Sequence, residues 1–111
     1  MMREKHRYIL VESAVEVPEE ARKGFEVELS RELMHNIGEV HYFRANMRIV
    51  KHVGLRRFVI RCSLERHNDV IVALSFIKRI GGADTGFYTL KSSGTIRALL
   101  KDDAAEEPGK G

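Results

Sequence analysis

Residues with specialised chemistry are scarce in this sequence of 111 residues. The sequence has one cysteine, Cys62, which excludes a disulfide within the chain, and it has neither a Cys-x-x-Cys nor a His-Glu-x-x-His spacing. The five histidines are scattered singly, which argues against a metal cage. Cys62 lies in an apolar strand pattern, so we expect a buried, inert thiol and disfavour a catalytic nucleophile. These absences disfavour metalloenzymes and cysteine-dependent enzymes.

Long apolar runs are also absent. None approaches the roughly 20 residues that cross a membrane, and the N-terminal apolar run contains Glu12, which predicts a first strand and not a signal peptide. We therefore expect a cytoplasmic protein without a membrane partner. The chain has 43% apolar and 32% charged residues, and this composition at this length is typical of one globular domain. We place the domain at residues 1–101. Residues 102–111 are acidic and have no apolar anchor, so they predict a disordered tail.

Acidic residues are missing between Glu39 and Glu65, although the formal net charge of the chain is only +3. The basic side chains of this interval are Arg44, Arg48, Lys51, Arg56, Arg57 and Arg61, with His41 and His52. The acidic residues lie mainly from Glu12 to Glu39 and from Asp102 onward, so we expect one basic and one acidic region. A basic region on a small domain indicates nucleic-acid binding. A solvated strand edge that uses Arg and Lys to block aggregation explains these charges equally well.

The hydrophobic periodicity predicts a strand, a helix, two strands, a helix, a strand and a C-terminal helix. The predicted strands cover residues 7–15, 46–53, 56–64 and 84–91, and the predicted helices cover residues 18–36, 69–80 and 96–101. Segment 39–45 fits a short strand or a helical turn, and Gly86 is expected to mark a bulge. This order is typical of the α+β, ferredoxin-like split βαβ sandwich, an antiparallel sheet with two helices on one face. The other face is expected to stay open unless the C-terminal helix or a partner covers it.

The helix at residues 69–80 is apolar on most of its circumference, so we expect it to belong to the core. Asp69 with Asn68 or His67 is expected to cap the N-terminus of the helix, and Gly81-Gly82 to end it. Lys78 and Arg79 would then lie at the negative end of the helix dipole. The residues expected inside are Val70, Val72, Leu74, Phe76, Ile77 and Ile80, whereas Ser75 is expected to face water with the two cations.

Three segments together resemble one known family. They are the strand RYILVE at residues 7–12, the helix end IKRIGG at residues 77–82, and the run SGTIR at residues 93–97. The three segments resemble the ribonuclease P protein component 2 family. Its members have a first strand of this type, a helix that ends in I-x-x-I-G-G and, one strand later, the sequence S-G-T-I-(K/R). This family comprises a small archaeal subunit and its eukaryotic relatives, and the resemblance covers about residues 7–101.

The resemblance implies a ferredoxin-like fold and a non-catalytic subunit of ribonuclease P, the endoribonuclease that removes the 5′ leader of precursor tRNA. In this family the RNA carries the catalysis, so the resemblance implies no active site and no cofactor on this chain, with Mg²⁺ at the RNA. The implied partners are the ribonuclease P RNA, precursor tRNA, a TIM-barrel-like protein component 3 and other protein subunits. A homodimer contact within a heterotetramer is also compatible with the resemblance.

The candidate RNA-binding residues follow from the predicted register and the helix ends. Arg57 and Arg61, with Arg48 on the neighbouring strand, are expected on the open sheet face, although a slip of one residue would turn them into the core. Ser93-Gly94-Thr95 fits either a phosphate-binding turn or a plain N-cap. The candidates are Arg44, Arg48, Lys51, Arg56, Arg57, Arg61, Lys78, Arg79, Ser93, Gly94, Arg97 and Lys101.

Two other functions are compatible with the predicted fold. An acylphosphatase needs an anion-binding arginine after the first strand, but this chain has Glu16 and Glu19 there, which disfavours that enzyme. A protein-interaction or regulatory module of the same fold would need no RNA. Tyr42 and Phe43 would serve such an interface if they were exposed, but we expect both to be buried under the predicted hairpin.

Overall fold

The computed structural model describes residues 5–105, which form a four-stranded sheet, a two-stranded sheet and four α-helices. The strands are β1 (His6–Ser13), β2 (Arg48–Val53), β3 (Arg57–Ser63), β4 (Arg79–Ile80), β5 (Ala83–Asp84) and β6 (Phe87–Ser93). The helices are α1 (Arg22–Ile37), α2 (Glu39–Ala45), α3 (His67–Phe76) and α4 (Ile96–Ala105), with 3-10 turns at Glu19–Ala21 and Leu64–Arg66. No helix in residues 5–105 is long and apolar enough to cross a membrane.

The large sheet has the strand order β2-β3-β1-β6, and all neighbouring strands are antiparallel. β1 therefore lies in the interior of the sheet, as the split βαβ arrangement requires. Helices α1 and α3 cover one face, and α4 lies on the other. The predicted α+β, ferredoxin-like class is confirmed.

The larger core lies between the sheet and helices α1 and α3. Leu29 and Leu33 of α1 and Leu74 of α3 are buried in one cluster with side chains of β1 and β3. Phe58 of β3 belongs to the same cluster, and its ring lies edge-on to that of Phe87 with 5.9 Å between the ring centroids. Each buried Leu or Phe contributes about 1.5–3 kcal/mol by removing apolar surface from water. This core supplies the larger share of the hydrophobic stabilisation.

Helix α4 covers the centre of the other sheet face. Leu99 of α4 is fully buried in a cluster with Leu10 of β1 and Val59 of β3. Ile96 and Leu100 pack around this cluster. The C-terminal helix therefore closes the middle of the face, and only the surrounding part of the sheet faces solvent.

The central helix is shorter than predicted, and it begins at His67 without the predicted side-chain hydrogen bond at its N-terminus. α3 ends at Phe76, because Ile77 adopts an extended conformation in which its side chain is buried. Gly81 and Gly82, expected to end the helix, instead form the turn between β4 and β5, and their φ angles of 58° and 82° fit a two-residue hairpin turn. Val72 and Phe76, expected in the core, are 53% and 67% exposed.

A β-bulge changes the predicted faces of β2. Ile49 and Lys51 pair with consecutive residues of β3, so Val50 between them is an additional residue without a partner position in β3. Lys51 therefore lies on the α4 face, whereas strict alternation from Ile49 would place it on the helix side. His52 lies instead on the helix side, where its Nε2 is 2.7 Å from the carboxylate of Glu26 on α1. A pattern of period two cannot reveal the additional residue.

The last strand lies later in the chain than predicted. β6 covers Phe87–Ser93 and not residues 84–91, because Asp84 pairs within the small sheet. The register of β6 with β1 shifts at Leu90, so the bulge expected at Gly86 is wrongly placed. Leu64, which the alternation of Phe58, Ile60 and Cys62 would place in the core, is exposed because it begins a 3-10 turn after β3. Pairing with distant strands sets these positions, and the local pattern does not contain that information.

Helix α2 resolves the segment that the sequence left open. Gly38 separates it from α1 and has a φ of 96°, which permits the change of direction there. Tyr42 packs against the core but is only half-buried, so the expected burial is confirmed in part. Phe43 is exposed, so the prediction of its burial is wrong.

The ends of two other helices also differ from the prediction. A 3-10 turn at Glu19–Ala21 follows Pro18 and precedes α1, which begins at Arg22 and not at Pro18. Helix α4 extends to Ala105, so the prediction of a disordered tail is wrong for residues 102–105. The rest of the predicted tail, residues 106–111, lies outside the described residues.

Leu99→Ala should destabilise the protein by about 2–5 kcal/mol, because it leaves a cavity between α4 and the sheet. Leu90→Ala is the matched control, since Leu90 is exposed on an edge strand and its loss should change stability by no more than about 0.5 kcal/mol. Equilibrium unfolding in urea measures both free energies. Equal values for the two variants would contradict the packing of α4 on the sheet.

Candidate nucleic-acid interface

Basic and acidic residues are concentrated in different layers of the molecule. The four strands of the large sheet contain six Arg and Lys residues and one carboxylate, Glu12. Helices α1, α2 and α3, with the two 3-10 turns, contain eight carboxylates and five Arg or Lys residues. Because α1 and α3 cover one sheet face, the opposite face, around α4, is the more positive side of the fold.

Two arginines lie directly opposite each other on this face. Arg48 of β2 pairs with Arg61 of β3, and Arg61 also lies opposite Tyr8 of β1. Arg48 is exposed, whereas Arg61 is half-buried, and its Nε has no hydrogen-bond partner among the described residues. Like charges in opposite cross-strand positions destabilise a sheet. A phosphate between the two guanidinium groups would accept hydrogen bonds from both and remove this repulsion.

Further cations extend the face toward the other end of these strands. Lys51 is exposed and, because of the bulge, lies on the same side as Arg61. Arg57 donates from Nε to the Glu12 carboxylate at 3.1 Å, and both side chains are about one-third exposed, so this pair contributes less than about 1 kcal/mol. The pair compensates the charge of Arg57, which makes it a weaker phosphate ligand than Arg61. Arg56 is exposed in the turn before β3.

The turn between β6 and α4 is an N-cap. The Oγ1 of Thr95 accepts a hydrogen bond from the Ala98 N–H at 3.1 Å, and the Ser93 Oγ accepts one from the Thr95 N–H at 3.4 Å. These bonds satisfy backbone donors of the helix terminus within the chain. The N-cap interpretation is thus confirmed, whereas a phosphate contact stays a prediction. Arg97 and Lys101 are exposed on the same helix, one turn apart.

The structure thus gathers half of the twelve predicted residues around α4. We call this set the basic sheet face; it consists of Arg48, Lys51, Arg57, Arg61, Arg97 and Lys101.

Three other predicted cations lie away from the basic sheet face. Lys78 and Arg79 lie at the small β4–β5 hairpin, which packs against α1. Arg79 also lies 3.6 Å from the carboxylate of Asp84. Arg44 is exposed at the end of α2, where its carbonyl accepts a hydrogen bond from the Ser63 hydroxyl at 3.2 Å. These positions belong to the helix layer and do not extend the basic sheet face.

The sequence analysis missed Arg7, which it treated only as the beginning of a strand. Its Nη2 lies 3.4 Å from the Ser92 Oγ, and its Nη1 lies 4.0 Å from the position that a Cβ on Gly94 would occupy. None of the ion pairs among the described residues involves Arg7. This position depends on the pairing of β1 with β6, which is distant in sequence. One feature of the sequence could have drawn attention to Arg7: both Arg7 and Gly94 lie in segments that resemble the known family.

Cys62 is buried opposite Arg7. Burial raises the pKa of the Cys62 thiol to about 12, and the positive charge of Arg7 offsets only part of this effect. The thiol is therefore protonated at neutral pH. The prediction that Cys62 is buried is confirmed, and its lack of reactivity stays a prediction. Within residues 5–105, no three His, Cys, Asp or Glu side chains are grouped as a metal site would require.

Comparisons with known proteins agree with this fold. The sequence matches the model of the Rpp14/Pop5 family over residues 7–102. A search of curated proteins finds no match. Among solved structures, a chain in the cryo-EM structure of yeast ribonuclease MRP is similar, with a TM-score of 0.54 and 12% identity. The alignment covers 99% of this chain and 96% of the yeast chain, so the likeness extends over the whole fold.

The Cys62 thiol should resist modification by a disulfide reagent such as DTNB at pH 8 in the native protein, because it is buried and its pKa is about 12. In guanidinium chloride the same thiol should react completely. Since the unfolded thiol ionises near its ordinary pKa of 9.0 and the folded thiol near 12, its ionisation should lower stability as the pH rises above 9. Equal reaction rates in the native and the unfolded protein would contradict this burial.

Proposed function

Because this chain belongs to the Rpp14/Pop5 family, whose members are protein subunits of ribonuclease P and ribonuclease MRP, we propose that it is a non-catalytic subunit that binds and stabilises the RNA of ribonuclease P. The RNA, with its Mg²⁺ ions, would remove the 5′ leader of precursor tRNA. The chain would act beside other protein subunits of the particle. The observation that carries this proposal is the basic sheet face, on which Arg48 and Arg61 lie opposite each other.

Recognition at the basic sheet face would involve the RNA backbone and not the bases. Leu99 of α4 covers Val59 and Leu10 at the centre of the sheet, so bases cannot stack there as they do on the sheets of RRM domains. Phe58, the aromatic residue of β3, is buried in the core on the other side. Guanidinium groups match phosphate oxygens in charge and in geometry. This arrangement suits a folded RNA that is recognised by its shape.

The fixed positions of these cations would help to stabilise the RNA fold. Arg48, Lys51 and Arg61 extend from hydrogen-bonded strands, and the register of those strands sets their spacing. Cations on a rigid scaffold lose less conformational entropy on binding than those on a flexible arm. They would reduce the repulsion between phosphates that a folded RNA brings close together, with release of counterions.

The double variant Arg48→Ala with Arg61→Ala should bind ribonuclease P RNA more weakly than the unmodified protein. The slope of log affinity against log salt concentration should decrease in magnitude by about two, because about one unit is lost with each phosphate contact. Fluorescence anisotropy with labelled RNA over a series of KCl concentrations measures this slope. Circular dichroism checks that the variant remains folded.

Lys78→Ala with Arg79→Ala is the matched control, since it removes the same charge from the side of the β4–β5 hairpin. We expect this variant to keep the slope of the unmodified protein. If both double variants lowered the slope equally, net charge would explain the binding, and the assignment to the basic sheet face would be wrong.

A further inference from the structure

A row of hydrogen-bond donors crosses all four strands of the large sheet. Arg48 of β2 lies opposite Arg61 of β3. Tyr8 of β1 lies opposite Arg61 on one side and opposite Ser93 of β6 on the other. Residues in opposite positions of antiparallel strands share a face, and the strands are about 4.8 Å apart, so the row spans roughly 14 Å. We call these four residues the donor row.

Packing fixes the ring of Tyr8, but the chain does not use its hydroxyl. Tyr8 is half-buried, and its side chain packs against the apolar cluster under α4, so the donor row lies on the α4 face. None of the side-chain hydrogen bonds among the described residues involves the Tyr8 hydroxyl, and this hydroxyl is not among their buried polar atoms without a partner. The donor is therefore held in position and is available to a ligand.

The neighbouring cross-strand rows on this face have different chemistry. Leu10 and Val59 lie opposite each other and are covered by Leu99 of α4. In the row beyond them, Glu12 lies opposite Arg57 and forms an ion pair with it. A carboxylate in that row repels a phosphate. The donor row has two arginines and no carboxylate, so an anionic chain that crosses this face meets the least repulsion there.

We propose that one strand of the RNA crosses the sheet along the donor row, and that the Tyr8 hydroxyl donates a hydrogen bond to one of its phosphate oxygens. The proposal rests on the proposed function and adds to it a neutral ligand and a direction. The RNA strand runs across the β-strands from β2 to β6, with Arg48 at one end and Ser93 at the other. Phosphate oxygens accept hydrogen bonds from guanidinium and from hydroxyl groups alike. The phenol differs from the arginines because its contact releases no counterion.

Tyr8→Phe in the full chain tests the role of the hydroxyl. This substitution keeps the ring that packs under α4, so the protein should remain folded. The affinity for ribonuclease P RNA should decrease about tenfold, as is usual when a hydrogen bond to a charged group is lost. The slope of log affinity against log salt concentration should stay unchanged, because no positive charge is removed. Fluorescence anisotropy with labelled RNA over a series of KCl concentrations measures both quantities.

Tyr88→Phe is the matched control, since Tyr88 is exposed on the same sheet but lies opposite Glu12. This variant should keep the affinity of the unmodified protein. Equal losses in the two tyrosine variants would overturn the proposal, because the effect would not depend on position. If Arg48→Ala with Arg61→Ala lost affinity and Tyr8→Phe did not, the role of Tyr8 would be wrong and RNA binding by the basic sheet face would stand. If neither variant lost affinity, both would be wrong.

A tethered hydroxyl-radical probe tests the direction of the RNA strand. The single variants Arg48→Cys and Ser93→Cys place a thiol at either end of the donor row, and Cys62 should not take the probe because it is buried. Each labelled protein is bound to ribonuclease P RNA at low salt, and the cleaved positions of the RNA are mapped. Because the ends of the row are roughly 14 Å apart, we expect the two cleavage centres to lie within a few nucleotides of each other on one continuous strand. Centres on opposite strands of a helix, or in distant parts of the RNA, would overturn the proposed path.

Discussion

The burial of strands β1 and β3 on both faces is the constraint on which the rest of this structure depends. On one face, Ile9 and Phe58 contact the core under α1 and α3. On the other, Leu10 and Val59 are covered by Leu99 of α4. Charged side chains are therefore excluded from the centre of the sheet, because burying them without partners would cost several kcal/mol each. They occupy the ends of the strands and the edge strand β2, where they surround α4.

This constraint gives the two layers of the molecule different surfaces. The sheet side has cations in fixed positions around the apolar cluster of Leu99, Leu10 and Val59, and this arrangement suits the phosphate backbone of a folded RNA. The helix side has an excess of carboxylates, and Val72 and Phe76 of α3 are exposed there. The fold separates these two surfaces by the thickness of one sheet. Binding on one side therefore leaves the other side accessible.

The sequence predicted the fold class and the faces of β3, because the alternation from Phe58 to Cys62 is uninterrupted and the buried side fixes the register. It could not predict the position of Lys51, since one additional residue in β2 reverses the pattern without any local signal. It also placed Val72 and Phe76 in the core, because apolar periodicity does not distinguish a buried face from an exposed one. The position of Arg7 depends on pairing between segments far apart in the chain, which a single sequence does not show.

The most direct test of RNA binding is to capture the tagged full chain from its own cells and to sequence the RNA that co-purifies with it. We expect strong enrichment of the ribonuclease P RNA at moderate salt and loss of that RNA at high salt, because the proposed contact joins exposed cations to phosphates. Recovery of no structured RNA, with the protein folded and its protein partners retained, would contradict RNA binding. It would leave the chain as a protein-interaction module of the same fold.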